Sequence, residues 1–238
     1  MDIVVPLGSG SKWDNNELRY SLRSVEEYAY SVDRVIIVGN KPEWLTNVVH
    51  IPLDDKRWAK EYNIYHKIRA AIVSLKLEDF IVTNDDIFFN AQCNIEAIQY
   101  YYSGTLEELY EKGKRYHKHS LYNFTISNTI EALRKREHPT RHYDIHVPVI
   151  YNSRLFLECM DSYDWLLAYG YAIKSLYSNT FYTGGQEVED CMIDEPVEDW
   201  SSLVEGKAFF SIGDKAIDVN FEKYIMCKFP KPSKFEYE

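Results

Sequence analysis

Cysteine is scarce and scattered. The four present, Cys93, Cys159, Cys191 and Cys227, never fall into a Cys-x-x-Cys spacing. That argues against a disulfide scaffold or a structural zinc site and for reduced, buried thiols. Long hydrophobic runs are missing too: no stretch approaches the ~20 apolar residues that span a bilayer. The opening Met-Asp-Ile-Val-Val-Pro-Leu-Gly lacks the basic segment and the longer apolar run of a secretory leader. It reads as a first strand, and the chain is expected to be cytoplasmic with no stable membrane insertion. Internal repeats and low-complexity linkers are also absent. An excess of positive charge is lacking: the formal net charge is −10, which disfavours a protein that merely coats nucleic acid.

What is present suits one large domain. The chain has 238 residues and 45% apolar content, enough for a continuous core. Met1 to Leu7, Arg34 to Val38, Val48 to Ile51 and Phe80 to Val82 read as strands. Helices are expected from about Asn15 to Ala29 and from Trp58 to Leu75, the second with a polar face of Asn63, His66, Lys67 and Arg69. This β-α-β-α-β rhythm predicts an α/β, Rossmann-like mixed sheet flanked by helices. Residues 94–142 read as a helical, basic insertion within a single domain spanning 1–238, with helices at Asn94 to Tyr102, Thr105 to His117 and around Ile126, Ile130 and Leu133. A strand at Val147 to Tyr151 follows, then a helix from Leu155 to Tyr177 broken near Gly170. Ala208 to Ile212 is a last strand, Ile217 to Met226 a last helix, and Phe229 to Glu238 an exposed tail.

The chemistry concentrates at Thr83-Asn84-Asp85-Asp86. Phe80 to Val82 is a short apolar run of the kind found in buried parallel strands, and it stops at two adjacent carboxylates. Such a pair repels itself and is costly to desolvate. A divalent cation carrying a nucleotide diphosphate would remove that cost, and ligands of open α/β sheets bind beyond the carboxyl ends of the strands. An Asx-rich turn would show the same letters.

Gly8-Ser9-Gly10 after the first strand would let backbone N–H groups approach a phosphate. Arg19 and Arg23 stand one turn apart on the first helix, either aimed at a pyrophosphate or, for Arg23, engaged in a surface pair with Glu27. Charge is unevenly placed. Eight Lys and Arg lie between Lys112 and His142, and eight carboxylates with no basic residue between Gln186 and Gly206. That asymmetry would bring an anionic substrate to one wall of a cleft, although solvated helices would look alike. Twenty Tyr, eleven Phe and five Trp supply either sugar-stacking faces or core.

Several runs together carry a resemblance: Glu17-Leu18-Arg19-Tyr20-Ser21-Leu22-Arg23-Ser24-Val25-Glu26, Pro42-Glu43-Trp44-Leu45 and Asn84-Asp85-Asp86-Ile87-Phe88. Over Met1 to about Phe89 the chain resembles the Stealth family of sugar-1-phosphate transferases, with Asn63 and His146-x-Pro148 as weaker matches. The resemblance implies a GT-A-like glycosyltransferase core. By it, Asn84 and Asp85 would meet the nucleotide diphosphate, Asp85 and Asp86 would bind Mg²⁺ or Mn²⁺, and Arg19 and Arg23 would contact phosphate. Gly184-Gly185…Glu189-Asp190 resembles the Glu-Asp element of inverting GT-A enzymes, which makes Asp190 the general base. His146 would complete the metal shell or orient the diphosphate. The C-terminal half does not reproduce the family's last conserved block, which favours sugar transfer from a nucleotide sugar, a UDP-sugar first, over sugar-1-phosphate transfer. The expected hydroxyl acceptor is a glycan, with a hydroxymethylated base of phage DNA as the other option, compatible with the basic Lys112–His142 stretch. A non-catalytic sugar-nucleotide-binding module is the third reading.

Overall fold

Strand residues sort by parity. In the computed structural model, which describes residues 1–56, 59–116, 120–166 and 169–237, Val4, Ile36, Val38, Phe80 and Val82 pack into one core cluster. Ile3, Val5, Ile37 and Ile81 pack into a second on the opposite face. A period of two with both faces apolar is what a sheet covered by helices on each side requires.

The elements in chain order are β1 (Asp2–Leu7), α1 (Asn16–Tyr28), β2 (Ala29–Tyr30), β3 (Val35–Gly39), β4 (Val49–Ile51), α2 (Lys60–Leu75), β5 (Asp79–Val82) and β6 (Ile87–Phe89). There follow β7 (Cys93–Asn94), β8 (Tyr101–Tyr102), α3 (Leu106–Tyr116), α4 (Leu121–Arg134), β9 (Val149–Asn152), α5 (Ser153–Asp161) and α6 (Ile173–Thr180). Last come β10 (Gln186–Glu187), β11 (Met192–Ile193), α7 (Trp200–Val204), β12 (Phe209–Ile212) and α8 (Val219–Lys228). The central sheet runs β4-β3-β1-β5-β9. Its first four strands are mutually parallel, and β9 closes the edge antiparallel to β5, with Phe80 opposite Tyr151. Leu18, Leu22 and Val25 of α1 cover one face; α2, α4, α5 and α6 cover the other. The fold is thus mixed α/β with a mostly parallel sheet between helices, compatible with a Rossmann-like arrangement. Among the described residues no helix is long and apolar enough to cross a membrane.

A second sheet, β11-β12-β6, takes over where the chain leaves β5. Phe88 of β6 stacks on Phe210 of β12 with centroids 4.8 Å apart, so the chain on either side of the Asp pair is anchored in two different sheets. That fixes the turn between them.

Four expectations need correction. Residues 94–102 are not a helix: β7 pairs with β2 and β8 with β10, around a short 3-10 turn at Ile95–Ala97. The expected helix Leu155 to Tyr177 is two helices, α5 and α6. Asn63 and Lys67 of α2 are buried rather than on a solvent face. The C-terminal segment is docked, not exposed: Phe229, Ser233 and Phe235 are buried, and the backbone N–H groups of Thr46 and Tyr237 donate to the carbonyls of Phe235 and Trp44. The helices α3 and α4 place Leu106, Ile126, Ile130 and Leu133 in the main core. Trp58, His117 and Lys118, which the sequence assigned to helices or to the basic stretch, lie outside the described residues, as does Glu238.

Candidate active site

β1, β3, β4 and β5 are parallel, so the loops after them emerge on one edge. There a cavity of about 750 Å³ is lined by Gly8, Ser9, Gly10, Asp55, Lys60, Lys67, Asn84, Asp85, Asp86 and the turn Gly213-Asp214-Lys215. A second cavity of about 510 Å³ adjoins it, lined by Glu61, Tyr122, His142, Asp144, His146, Tyr169, Lys174 and Asp190. The two share Lys60, Ile64, Asn84 and Met192. Together they form one cleft with two chambers, placed where parallel sheets bind ligands.

The floor of the first chamber is acidic. Oδ1 of Asp86 and Oε2 of Glu17 are sealed from solvent and find no hydrogen-bond partner among the described residues. Burial, then the charges of Asp86 and Glu17, push the Asp85 carboxyl up from 3.8 to about 7. Burial also raises Asp86, against the opposing charges of His146 and Lys60. Glu17 was not foreseen; it is carried there by the first turn of α1. That turn is ordered by Ser11, whose Oγ accepts the backbone N–H of Asn15 (2.7 Å) and Trp13 (3.2 Å), while Asn15 itself occupies the cap position without a side-chain hydrogen bond.

Lys67 was also missed as a site residue. Its Nζ donates to the carbonyl of Leu7 (2.7 Å) and pairs with Asp55, tying α2 to the end of β1 directly below the glycine loop. Gly39 sits beside it at φ +129, where an added Cβ would lie 1.9 Å from the Leu7 carbonyl oxygen. Gly10, by contrast, faces open space, so packing does not demand a glycine there.

In the second chamber Asp190 is held by His146. Its Oδ1 accepts the His146 backbone N–H at 2.9 Å, and its Oδ2 lies 2.9 Å from the ring Nδ1. Burial acts to raise the Asp190 carboxyl, but these hydrogen bonds outweigh it and hold it below the ordinary 3.8. Asp144 accepts the backbone N–H groups of Lys174 (3.1 Å) and Ser175 (2.8 Å) at the start of α6, the favoured end for an anion. Lys174 Nζ donates to the carbonyls of Ile145 and Val147.

The structure therefore gathers Gly8, Ser9, Gly10, Asn84, Asp85 and Asp86 in one chamber and His146 with Asp190 in the next. Arg19 and Arg23 line neither. Arg23 forms a two-pronged ion pair with Glu236 (2.7 Å from both Nε and Nη2) and donates to the carbonyl of Phe229; it does not pair with Glu27. Arg19 lies over the Trp44 ring at 4.6 Å, with Nε 3.5 Å from Glu236. Gly185 has a packing reason of its own, since an added Cβ would lie 2.3 Å from the Tyr100 carbonyl oxygen. Among the described residues no three His, Cys, Asp or Glu side chains gather closely enough to hold a metal by themselves. The basic stretch is partly neutralised in place, with Arg134 on Glu107 and Lys114 on Glu111 at 2.9 Å each.

Fold and cleft together define an α/β protein with a two-chambered site at the carboxyl edge of a parallel sheet. Compared with protein-family models and curated proteins, the chain matches none.

Proposed function

We propose that the protein is a metal-dependent, GT-A-like glycosyltransferase that moves a sugar from a nucleotide-sugar donor, a UDP-sugar first, to a hydroxyl acceptor. One observation carries the reading: three carboxyl side chains, Glu17, Asp85 and Asp86, line one ligand-sized chamber, and sealed oxygens on two of them have no hydrogen-bond partner among the described residues. Oxygen-only donors suit Mg²⁺ or Mn²⁺. Asp85 and Asp86 would hold the ion, and the donor's phosphates and water would supply its remaining ligands. Such an ion, when bound, neutralises the diphosphate as a Lewis acid.

The chain's own residues divide the remaining work. Gly8, Ser9 and Gly10 leave room for phosphate oxygens against the backbone. Asn84, shared by both chambers, sits where donor and acceptor meet. The Asp190–His146 pair receives the proton of the acceptor hydroxyl, a contribution of about 10²–10⁴ in rate. In the second chamber the acids Glu61, Asp144 and Asp190 outnumber the lysines Lys60 and Lys174, and that balance favours a glycan hydroxyl over a modified base in DNA. Tyr122 lines that chamber with an aromatic ring.

The test is the nucleotide released when protein, Mn²⁺, a panel of nucleotide sugars and glycan acceptors are incubated together. A nucleoside diphosphate supports sugar transfer. A monophosphate supports the Stealth-type transfer of sugar-1-phosphate. Donor binding that survives Asp86→Asn, with no turnover on any acceptor, supports the binding module instead.

A further inference from the structure

A departing diphosphate needs positive charge from the protein as well as from an ion. The two arginines nominated by the sequence are committed elsewhere, to Glu236 and Trp44. Apart from Lys60, the lysines that line the donor chamber each have an ion-pair partner. Lys12 pairs with Asp214 at 2.8 Å, Lys67 is bound to Leu7 and Asp55, and Lys215 pairs with Asp194 and Glu195.

Lys60 is different. It lines both chambers, its side chain is exposed, and among the described residues no carboxylate lies within ion-pair distance of it. It is also the first residue of α2, the end of a helix where a cation is disfavoured by the aligned peptide dipoles. An ordinary surface lysine gains nothing from that position. A lysine that meets an anion across a cleft gains from the anion what it loses to the dipoles. Its charge already reaches the floor, where it opposes the rise of both Asp85 and Asp86.

We infer that Lys60, at the junction of the two chambers, is the protein's contact to the leaving diphosphate, in the role that the resemblance implies for Arg19 and Arg23. The inference rests on the transferase reading. In the transfer, the bond between the sugar's anomeric carbon and the diphosphate oxygen breaks and its electron pair stays on that oxygen. The acceptor oxygen forms the new bond to the anomeric carbon, and its proton passes to the Asp190–His146 pair. The Lys60 ammonium donates a hydrogen bond to the departing phosphate and keeps its own proton.

Calorimetry with UDP and, separately, inorganic pyrophosphate, each with Mn²⁺, tests this on the full chain. Lys60→Met is expected to weaken both ligands about tenfold and to slow nucleotide release from UDP-sugars by about 10²–10³-fold, while Lys60→Arg restores most of the binding. Lys114→Gln, on the surface of α3, is the control and stays within about twofold of the parent. Thermal melting of each variant verifies folding. Binding and nucleotide release by a folded Lys60→Met protein within twofold of the parent would overturn the inference and leave the transferase reading standing. If the parent itself takes up neither UDP nor pyrophosphate with Mn²⁺, the transferase reading falls and the role of Lys60 falls with it.

Discussion

Asp85 links site chemistry to stability. Its folded-state pKa lies near 7 against 3.8 for an ordinary Asp, raised first by burial and then by Asp86 and Glu17. Between those values the native chain holds a proton that the unfolded chain has lost, so stability from this residue falls as pH rises through the interval. The melting temperature of the metal-free protein should decline from pH 4 toward pH 7.5, and Asp85→Asn should flatten that slope. On the proposed reading manganese would compete with the same proton, so its affinity should strengthen over the same range; a pH series of manganese titrations checks this. At Asp190, replacement by Asn should lower kcat by about 10²–10⁴-fold with donor affinity nearly intact, which separates a base from a donor ligand. The Asp pair could be read from sequence because adjacent carboxylates after an apolar strand are costly without a partner. Glu17 could not, since an acid in the first turn of a helix is ordinary. Lys67 was misread for a similar reason: helical spacing does not reveal that a strand's last carbonyl lies within reach.

Among the elements, the C-terminal segment departs most from expectation. Residues 229–237 return to α1 and to the loop after β3, and Glu236 is clamped by Arg23 with side-chain exposures of 7% and 11%. Burial alone would raise Glu236, yet the Arg23 hydrogen bonds and the Ser233 backbone N–H hold it below 4.5. Removing one partner of a buried pair strands the other. Glu236→Ala should therefore cost about 3–5 kcal/mol in denaturant melts, and the Arg23→Met/Glu236→Leu double variant should cost less than the sum of its singles. UDP binding should survive in whatever fraction stays folded, because the pair lies outside both chambers. The partners are 213 residues apart, and a Pro- and Lys-containing end carries no local sign of docking. The 94–102 segment fails for a related reason: its conformation follows from pairing with β2 and β10, which local helix-like spacing cannot report. The strands β1, β3 and β5 were legible as short apolar runs, and α1 and α2 from the apolar residues spaced along their core-facing sides, although on α2 burial reaches past that side to Asn63 and Lys67.

Across the whole molecule, the parallel strands bring to one edge a glycine loop, an acidic turn and a lysine-headed helix, and the second sheet holds that turn rigid from behind. Conformation there is over-determined, so the carboxylates stay together despite their repulsion; on the proposed transferase reading, a cation carrying an activated sugar's phosphates is what they would hold. Titration of manganese and UDP into the intact chain and into Asp86→Asn tests this most directly. Saturable heat in the parent, lost on adding a chelator and lost in the Asp86→Asn protein, is the predicted result. A flat trace in the parent, or equal binding by both proteins, would contradict it.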